Sequence, residues 1–304
     1  MTFVVRQLLT TLVVLLGVST VVFFAVRLSG DPASLLAPQG ATAEDIQELR
    51  HRLGLDAPLH EQYRLFLVHA LTGDFGTSVR YQQPASELVL GALPITLTLT
   101  VAALGLALIV AVPAGIVSAV KRDTAFDAAA MVLTLVGQAM PVFWLGILLI
   151  LIFAVRLRLL PTGGWGSPSQ IILPALALGA YSMARISRLV RSGMLEVLSQ
   201  DYIRTARSKG LHERTIIALH ALKNAQIPVV TVVGLEFAVL MGGAVVTETI
   251  FAVPGLGRLA VSSVATRDYA VVQAAVFAAA LIVVSVNFVV DLLYVALDPR
   301  IRLR

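Results

Sequence analysis

The chain of 304 residues contains no cysteine, and only 13% of its residues are charged. The first absence excludes disulfides, thiolate nucleophiles and thiolate metal sites. The second falls well below the roughly 25% charged residues of a soluble domain. Aromatic residues are scarce, at 7% with two tryptophans, Trp144 and Trp165, so broad stacking surfaces for nucleic acid are excluded. The formal charge is +5, yet the basic residues form no run of like sign. Five histidines occur (His51, His60, His69, His212 and His220), none at the spacing of an HExxH zinc site. Neither a Ser–His pair nor paired aspartates lie in the apolar runs, which argues against an intramembrane enzyme. A Gly-x4-Gly-Lys-Ser/Thr loop is also missing, so the chain has no phosphate cradle of its own.

What the sequence does have is apolar length. Hydrophobic residues make up 58% of it, against roughly 45–50% in soluble proteins. A core of this size cannot hide that excess, and lipid is the solvent that accepts it. Six stretches approach the roughly 20 apolar residues of a spanning helix: 8–28, 94–120, 128–155, 171–189, 227–250 and 269–297. They are too long for barrel strands and lack period-2 alternation. A helix pairs its own backbone groups, as lipid demands. The first stretch exceeds the roughly 7–15 residues of a signal core, and no A-x-A site follows it, so it reads as a retained helix.

The expected fold is therefore an all-α, polytopic membrane protein with six transmembrane helices. Placing both termini in the cytoplasm puts 14 of the 23 basic residues inside. The domain reading follows: 1–28 is the cytoplasmic N-terminus and first span, and 29–93 is an extracytoplasmic segment. Residues 94–297 form a five-helix core with an inner loop at 191–226, and 298–304 form a cytoplasmic tail. Within 29–93, Thr42 and Asp45 have capping spacing, Pro58 suits the start of a helix over 59–71, and Gly73-Asp-Phe-Gly76 reads as a turn.

The inner loop carries the densest functional signal. Ser199 can cap a short helix running through Tyr202, Ala206 and Lys209, and Gly210 suits a left-handed C-terminal cap. Ala206 and Gly210, four apart, would let another protein approach the backbone closely. A second helix over 213–224 and a fifth span opening at Pro228 complete the loop. An ordinary basic inner loop is the competing reading. Glu236 and Asp291 fall inside spans, where a carboxylate lines a pathway or bonds a neighbouring helix. Gly242, Gly243, Pro254 and Gly255 permit close packing and a turn, either as an outer gate or as plain loop. Glu248 and Asp268 read as outer-side acids, facing a partner or solvent.

The loop residues Asp201-Tyr-Ile-Arg-Thr-Ala-Arg-Ser-Lys-Gly-Leu211, then His220-Ala-Leu-Lys-Asn-Ala225 and Ile227-Pro228, resemble the EAA loop of ABC importer permeases. Ala206-x3-Gly210 fits its pattern, while Arg204 and Thr205 stand where Glu and Ala are usual. Leu28-Ser-Gly-Asp-Pro32, Leu53-Gly-Leu-Asp56, Gly73-Asp-Phe-Gly-Thr-Ser78, Phe251, Pro254-Gly-Leu-Gly257, Arg267-Asp268 and Leu297-Asp-Pro-Arg300 extend the likeness along the chain. It is similar to the dipeptide, oligopeptide and nickel permeases, and to their B-type subunit.

The resemblance implies a type I ABC importer permease in the bacterial inner membrane, without enzymatic activity or cofactor of its own. ATP and Mg would belong to two partner ATPase subunits. The other implied partners are a homologous second permease and an extracytoplasmic substrate-binding protein. A coupling helix would contact an ATPase through Asp201, Tyr202, Arg204, Thr205, Ala206, Arg207, Lys209, Gly210 and Leu211. Glu236, Gly242, Gly243, Glu248, Pro254 and Gly255 would line the path or gate. Short peptides are the expected substrate, with nickel chelates, glutathione or another small solute as alternatives. An autonomous proton-coupled transporter using Glu236 and Asp291, and an assembly protein that transports nothing, are the rivals.

Overall fold

The computed structural model describes residues 2–28, 33, 37, 40–52 and 54–297, and omits side-chain surroundings at 2–8, 26–28, 52, 227, 231 and 291–297. Ser29 to Pro32, Leu53, the Asp291 side chain and Asp298-Pro-Arg300 lie outside what is described. Among the described residues the protein is helical, without a strand ladder. In chain order the helices are α1 Thr2–Leu28, α2 Ala43–Arg52, α3 Leu59–Thr72, α4 Ala85–Val120 and α5 Ala125–Ala139. Then come α6 Val142–Arg156, whose second half is a π-helix, and α7 Pro168–Leu198. α8 is Asp201–Ser208, and α9 covers 213–225 with a π-turn at its centre, Ile216–Ala221. α10 Ile227–Ile250, α11 Leu256–Ala265 and α12 Tyr269–Leu297 complete the order.

Helices occupy all six apolar stretches. Among the described residues three are long and apolar enough to cross a membrane, Ala85–Val120, Pro228–Ile250 and Tyr269–Val290, and a bent pair in the third stretch would make a fourth. α7 carries Arg185, Arg188 and Arg191 and is not among them. The third stretch departs from expectation. Read as one rod over 128–155, it is two helices, α5 and α6, bent by 109°. Pro141 is the cause. It has no N–H for the helical ladder, and its ring pushes the preceding residue out of helical conformation. Met140 accordingly has ψ 126°.

The chain divides into two compact units. One is drawn from residues up to 96 and from 254–285, the other from 97–253 and the end of α12. In the first unit, Ala85, Val89 and Ala92 of α4 pack with Leu256 of α11 and with Val271, Ala274 and Ala275 of α12. Thr96 Oγ1 accepts the N–H of Leu256 at 2.8 Å, which fixes the start of α11. Pro254 to Gly257, expected only as a turn, leads into this ten-residue helix. Asp268, read as an acid facing outward, is 1% exposed. Its carboxylate accepts the Ser78 hydroxyl at 2.5 Å and the Arg80 N–H at 3.3 Å, so it ties a loop to the head of α12. The smaller expectations in this unit hold. Thr42 and Asp45 form reciprocal capping bonds, and Gly73 caps α3 at φ 76°.

The second unit is built on close helix contact. A Cβ at Gly115 of α4 would lie 2.6 Å from the Ser187 carbonyl oxygen of α7. One at Gly179 of α7 would lie 2.7 Å from the Ala103 carbonyl oxygen of α4. Both obstacles are backbone and cannot swing aside. Gly115→Ala is therefore expected to destabilise the protein by about 1–3 kcal/mol, the usual cost of overpacking. Thermal melting in detergent checks this, and an unchanged melting point would show that α4 and α7 can part freely.

Candidate functional site

α8 is short, and its sequence dictates two faces. Ile203 is fully buried and Ala206 is 8% exposed. They join a core with Val190 and Met194 of α7 and with Ile216, Ala221 and Ala225 of α9. The other residues point away: Asp201, Tyr202, Arg204, Thr205, Arg207, Lys209, Gly210 and Leu211 are all exposed. Of the two small residues expected to open the backbone to a partner, only Gly210 is open, with nothing within 4 Å of a Cβ placed there. Ala206 faces the protein's own interior, because three residues from Ile203 returns to the same helix face.

The ends of α8 differ from expectation at one point. Ser199 does not cap it. Ser199 closes α7 instead, its hydroxyl donating to the Glu196 carbonyl at 2.7 Å, and Gln200 takes the N-cap position. Ser199 has helical backbone angles, whereas an N-cap residue is extended. At the other end Gly210 adopts φ 76°, and its N–H donates to the Arg207 carbonyl. The chain can then turn sharply into α9. Arg207 clasps that turn, its Nη2 donating to Glu213 at 2.6 Å. This contact raises the pKa of Arg207 and lowers that of Glu213, mainly through the hydrogen bond between them. Asn224 donates to the Tyr202 hydroxyl at 3.0 Å, a second tie between α8 and α9. The result is an exposed basic surface held on a rigid base.

A second polar cluster joins α5 to α7 and α4. Asp127 is 5% exposed in the first turn of α5. Arg191 grips it with two bonds, Nε at 2.7 Å and Nη2 at 2.6 Å. Ser118 also donates to it, as does the Asp123 N–H at 3.1 Å. The Arg191 hydrogen bonds, then that of Ser118, hold the Asp127 carboxyl well below the usual carboxylate range. Sequence reading missed this cluster. In the sequence Arg191 only opens the inner loop 191–226, and no spacing links positions 118, 127 and 191.

The residues read as path or gate occupy several settings. Glu236 is fully buried in α10, accepting from Ser182 and, at 2.7 Å, from Arg185 Nη1, both on α7. Gly242 is exposed, Gly243 is half-buried beside Leu178 of α7, and Glu248 is fully buried. In the other unit Pro254 is exposed and Gly255 is buried at the N-cap of α11. Phe251, 1% exposed, anchors the loop before α7, its carbonyl accepting the Gly164 N–H at 2.8 Å. Among the described residues no cluster of acids and histidines could hold a metal.

Residues 111–303 match the family described as binding-protein-dependent transport system inner membrane component, and residues 1–100 match its N-terminal membrane component. The chain belongs to this family. It is a permease subunit of an ABC importer. The permease is 45% identical over 301 residues to the glutathione transport system permease protein GsiC of Salmonella choleraesuis, covering 99% of this chain and 98% of that one. It is 42% identical to the dipeptide transport system permease protein DppB of Alkalihalophilus pseudofirmus, covering 99% of each. Among solved structures, the MetNI methionine ABC transporter matches with TM-score 0.57 and 16% identity, over 69% of this chain and 96% of the other. That likeness supports the importer-permease fold.

Proposed function

We propose that this permease imports short peptides across the bacterial inner membrane, with both termini in the cytoplasm. In this reading it pairs with a homologous permease and receives substrate from an extracytoplasmic binding protein. Two ATPase subunits drive it through α8. One observation carries the proposal: α8 anchors Ile203 and Ala206 in the core while it presents Tyr202, Arg204, Lys209 and Gly210 outward. A helix so anchored cannot move without moving α7 and α9, so a push on its outer face reaches the spans as a rigid-body displacement. Full-length similarity to permeases named for glutathione, itself a tripeptide, and for dipeptides supports the substrate class.

Isolation of the tagged chain in mild detergent is expected to recover a second permease and ATPase subunits. Reversing charge with Arg204→Glu and Lys209→Glu is expected to lower bound ATPase at least about tenfold, because rim and interface charges set encounter and register. The second permease is expected to remain. Retention of the ATPases by that variant would remove α8 from the coupling role.

A further inference from the structure

We infer that Arg185, oriented by Glu236 and assisted by Arg188, is a station for the carboxylate of a passing peptide. The inference rests on the importer reading above and assigns a binding residue within it. Charges are rare in the described part of the apolar stretches, of which that in α7 is not long and apolar enough to cross a membrane. Between 94–118, 128–155, 171–189, 228–250 and 269–290 the only ionisable acids and bases of the Asp, Glu, Lys and Arg types are Arg185, Arg188, Glu236 and Glu248. Glu236 is fully buried, whereas the Arg185 side chain is 44% exposed. The pair therefore has a closed end and an open end.

The open end is not suited to lipid. A guanidinium that meets hydrocarbon is costly, so one near the end of an apolar stretch turns to a wet cavity or another protein surface. On α7, Arg185 shares an exposed face with Tyr181 one turn before and Ser192 two turns after. Half-buried Arg188, three residues on, shares that face, and its side chain has no hydrogen bond or ion pair among the described residues. Two guanidiniums against one carboxylate leave this patch a net positive charge.

Arginine has five N–H donors in a planar fork. Arg185 spends one on Glu236, and its remaining donors are left for a partner. The Ser182 hydroxyl and the Arg185 guanidinium fix Glu236, and Glu236 in turn fixes the fork. A carboxylate is the ligand that fits a preorganised fork by two parallel bonds. Every peptide with a free C-terminus carries one. Glu236 also offsets part of the attraction, which keeps the hold weak enough for release, as conduction requires.

The test uses the permease–ATPase complex in nanodiscs, without binding protein, and radiolabelled trialanine or its C-terminal amide by equilibrium dialysis. Wild type is expected to bind the free acid about tenfold more tightly than the amide, the scale of a charge-assisted hydrogen bond. Arg188→Gln, which breaks no observed contact, is expected to narrow that preference. Arg185→Gln combined with Glu236→Gln leaves no buried charge unpaired and is expected to abolish it. Bound ATPase, measured on each sample, is expected to be unchanged. A wild type without preference, or a preference that survives both variants, overturns the inference. Loss of ATPase in wild type would instead count against the importer reading.

Discussion

Gly210→Val is expected to leave the permease folded and inserted while cutting ATP-driven uptake at least about tenfold. Gly210→Asn is expected to keep most of it. The contrast comes from the backbone. Gly210 sits at φ 76°, where an ordinary L residue costs roughly 1–2 kcal/mol and a β-branched one is a poor fit. Asparagine tolerates that region. Beyond its chain neighbours, nothing lies within 4 Å of a Cβ placed there, so bulk alone does not disturb the core. The strain is relieved by opening the turn between α8 and α9, which pulls on the Arg207–Glu213 clasp. A shift of α8 by even an ångström or so matters when it must fit a partner surface. Gly210→Trp tests the outer face as well, since its ring would stand in the partner's place. Uptake into proteoliposomes, with retained insertion shown by limited proteolysis, reads both effects. Equal activity of the Val and Asn variants would show that the turn geometry is irrelevant to coupling.

The second large effect is expected at Arg191. Arg191→Ala leaves the nearly buried Asp127 with only Ser118 and a backbone N–H as donors. Removing one partner of a buried pair is far worse than removing both, because the survivor keeps its desolvation cost. The melting temperature is expected to fall by about 5–10 °C for Arg191→Ala, on the usual scale for domains of this size. The double variant Arg191→Met with Asp127→Leu is expected to recover most of that loss. The pH dependence has a definite sign. The folded-state pKa of Asp127 is lowered, chiefly by Arg191. Its contribution is thus complete above the unfolded carboxylate value of about 3.9 and is lost only as pH falls through the lower folded value. From pH 8 to pH 5 the pair is expected to add no slope to stability. A wild-type melting point that drops steeply between pH 7 and pH 5, and does so less in the double variant, would contradict this.

Much of the fold was legible because lipid leaves few choices. Long apolar runs must be helices, and helices stand at all six. The break at Met140 and Pro141 was legible in principle from the proline, but the unbroken apolar composition on either side concealed it. α11 was harder to see, since a ten-residue helix beginning at Leu256 looks like the continuation of a Pro-Gly turn. The local signals in 42–76 were readable because caps and turns are contacts between near neighbours. In the site, the exposed residues of α8 and the left-handed Gly210 followed from the motif. The inward face of Ala206 did not, because only Ile203 and the core of α7 and α9 decide which side is inside. Arg191 with Asp127, and Arg185 with Glu236, are long-range pairs separated by 64 and 51 residues. Pairing of that kind is a property of the packed helices and leaves no mark in spacing.

In the proposed function, ATP hydrolysis in partner subunits drives peptide entry through this permease. The decisive measurement is trialanine uptake into proteoliposomes holding the permease pair, the ATPases and the binding protein, with and without a protonophore. Uptake is expected to require ATP, to persist when the proton gradient is collapsed, and to disappear when the ATPases are omitted. Uptake by the permease chain alone, driven by a pH gradient without ATP, would contradict it.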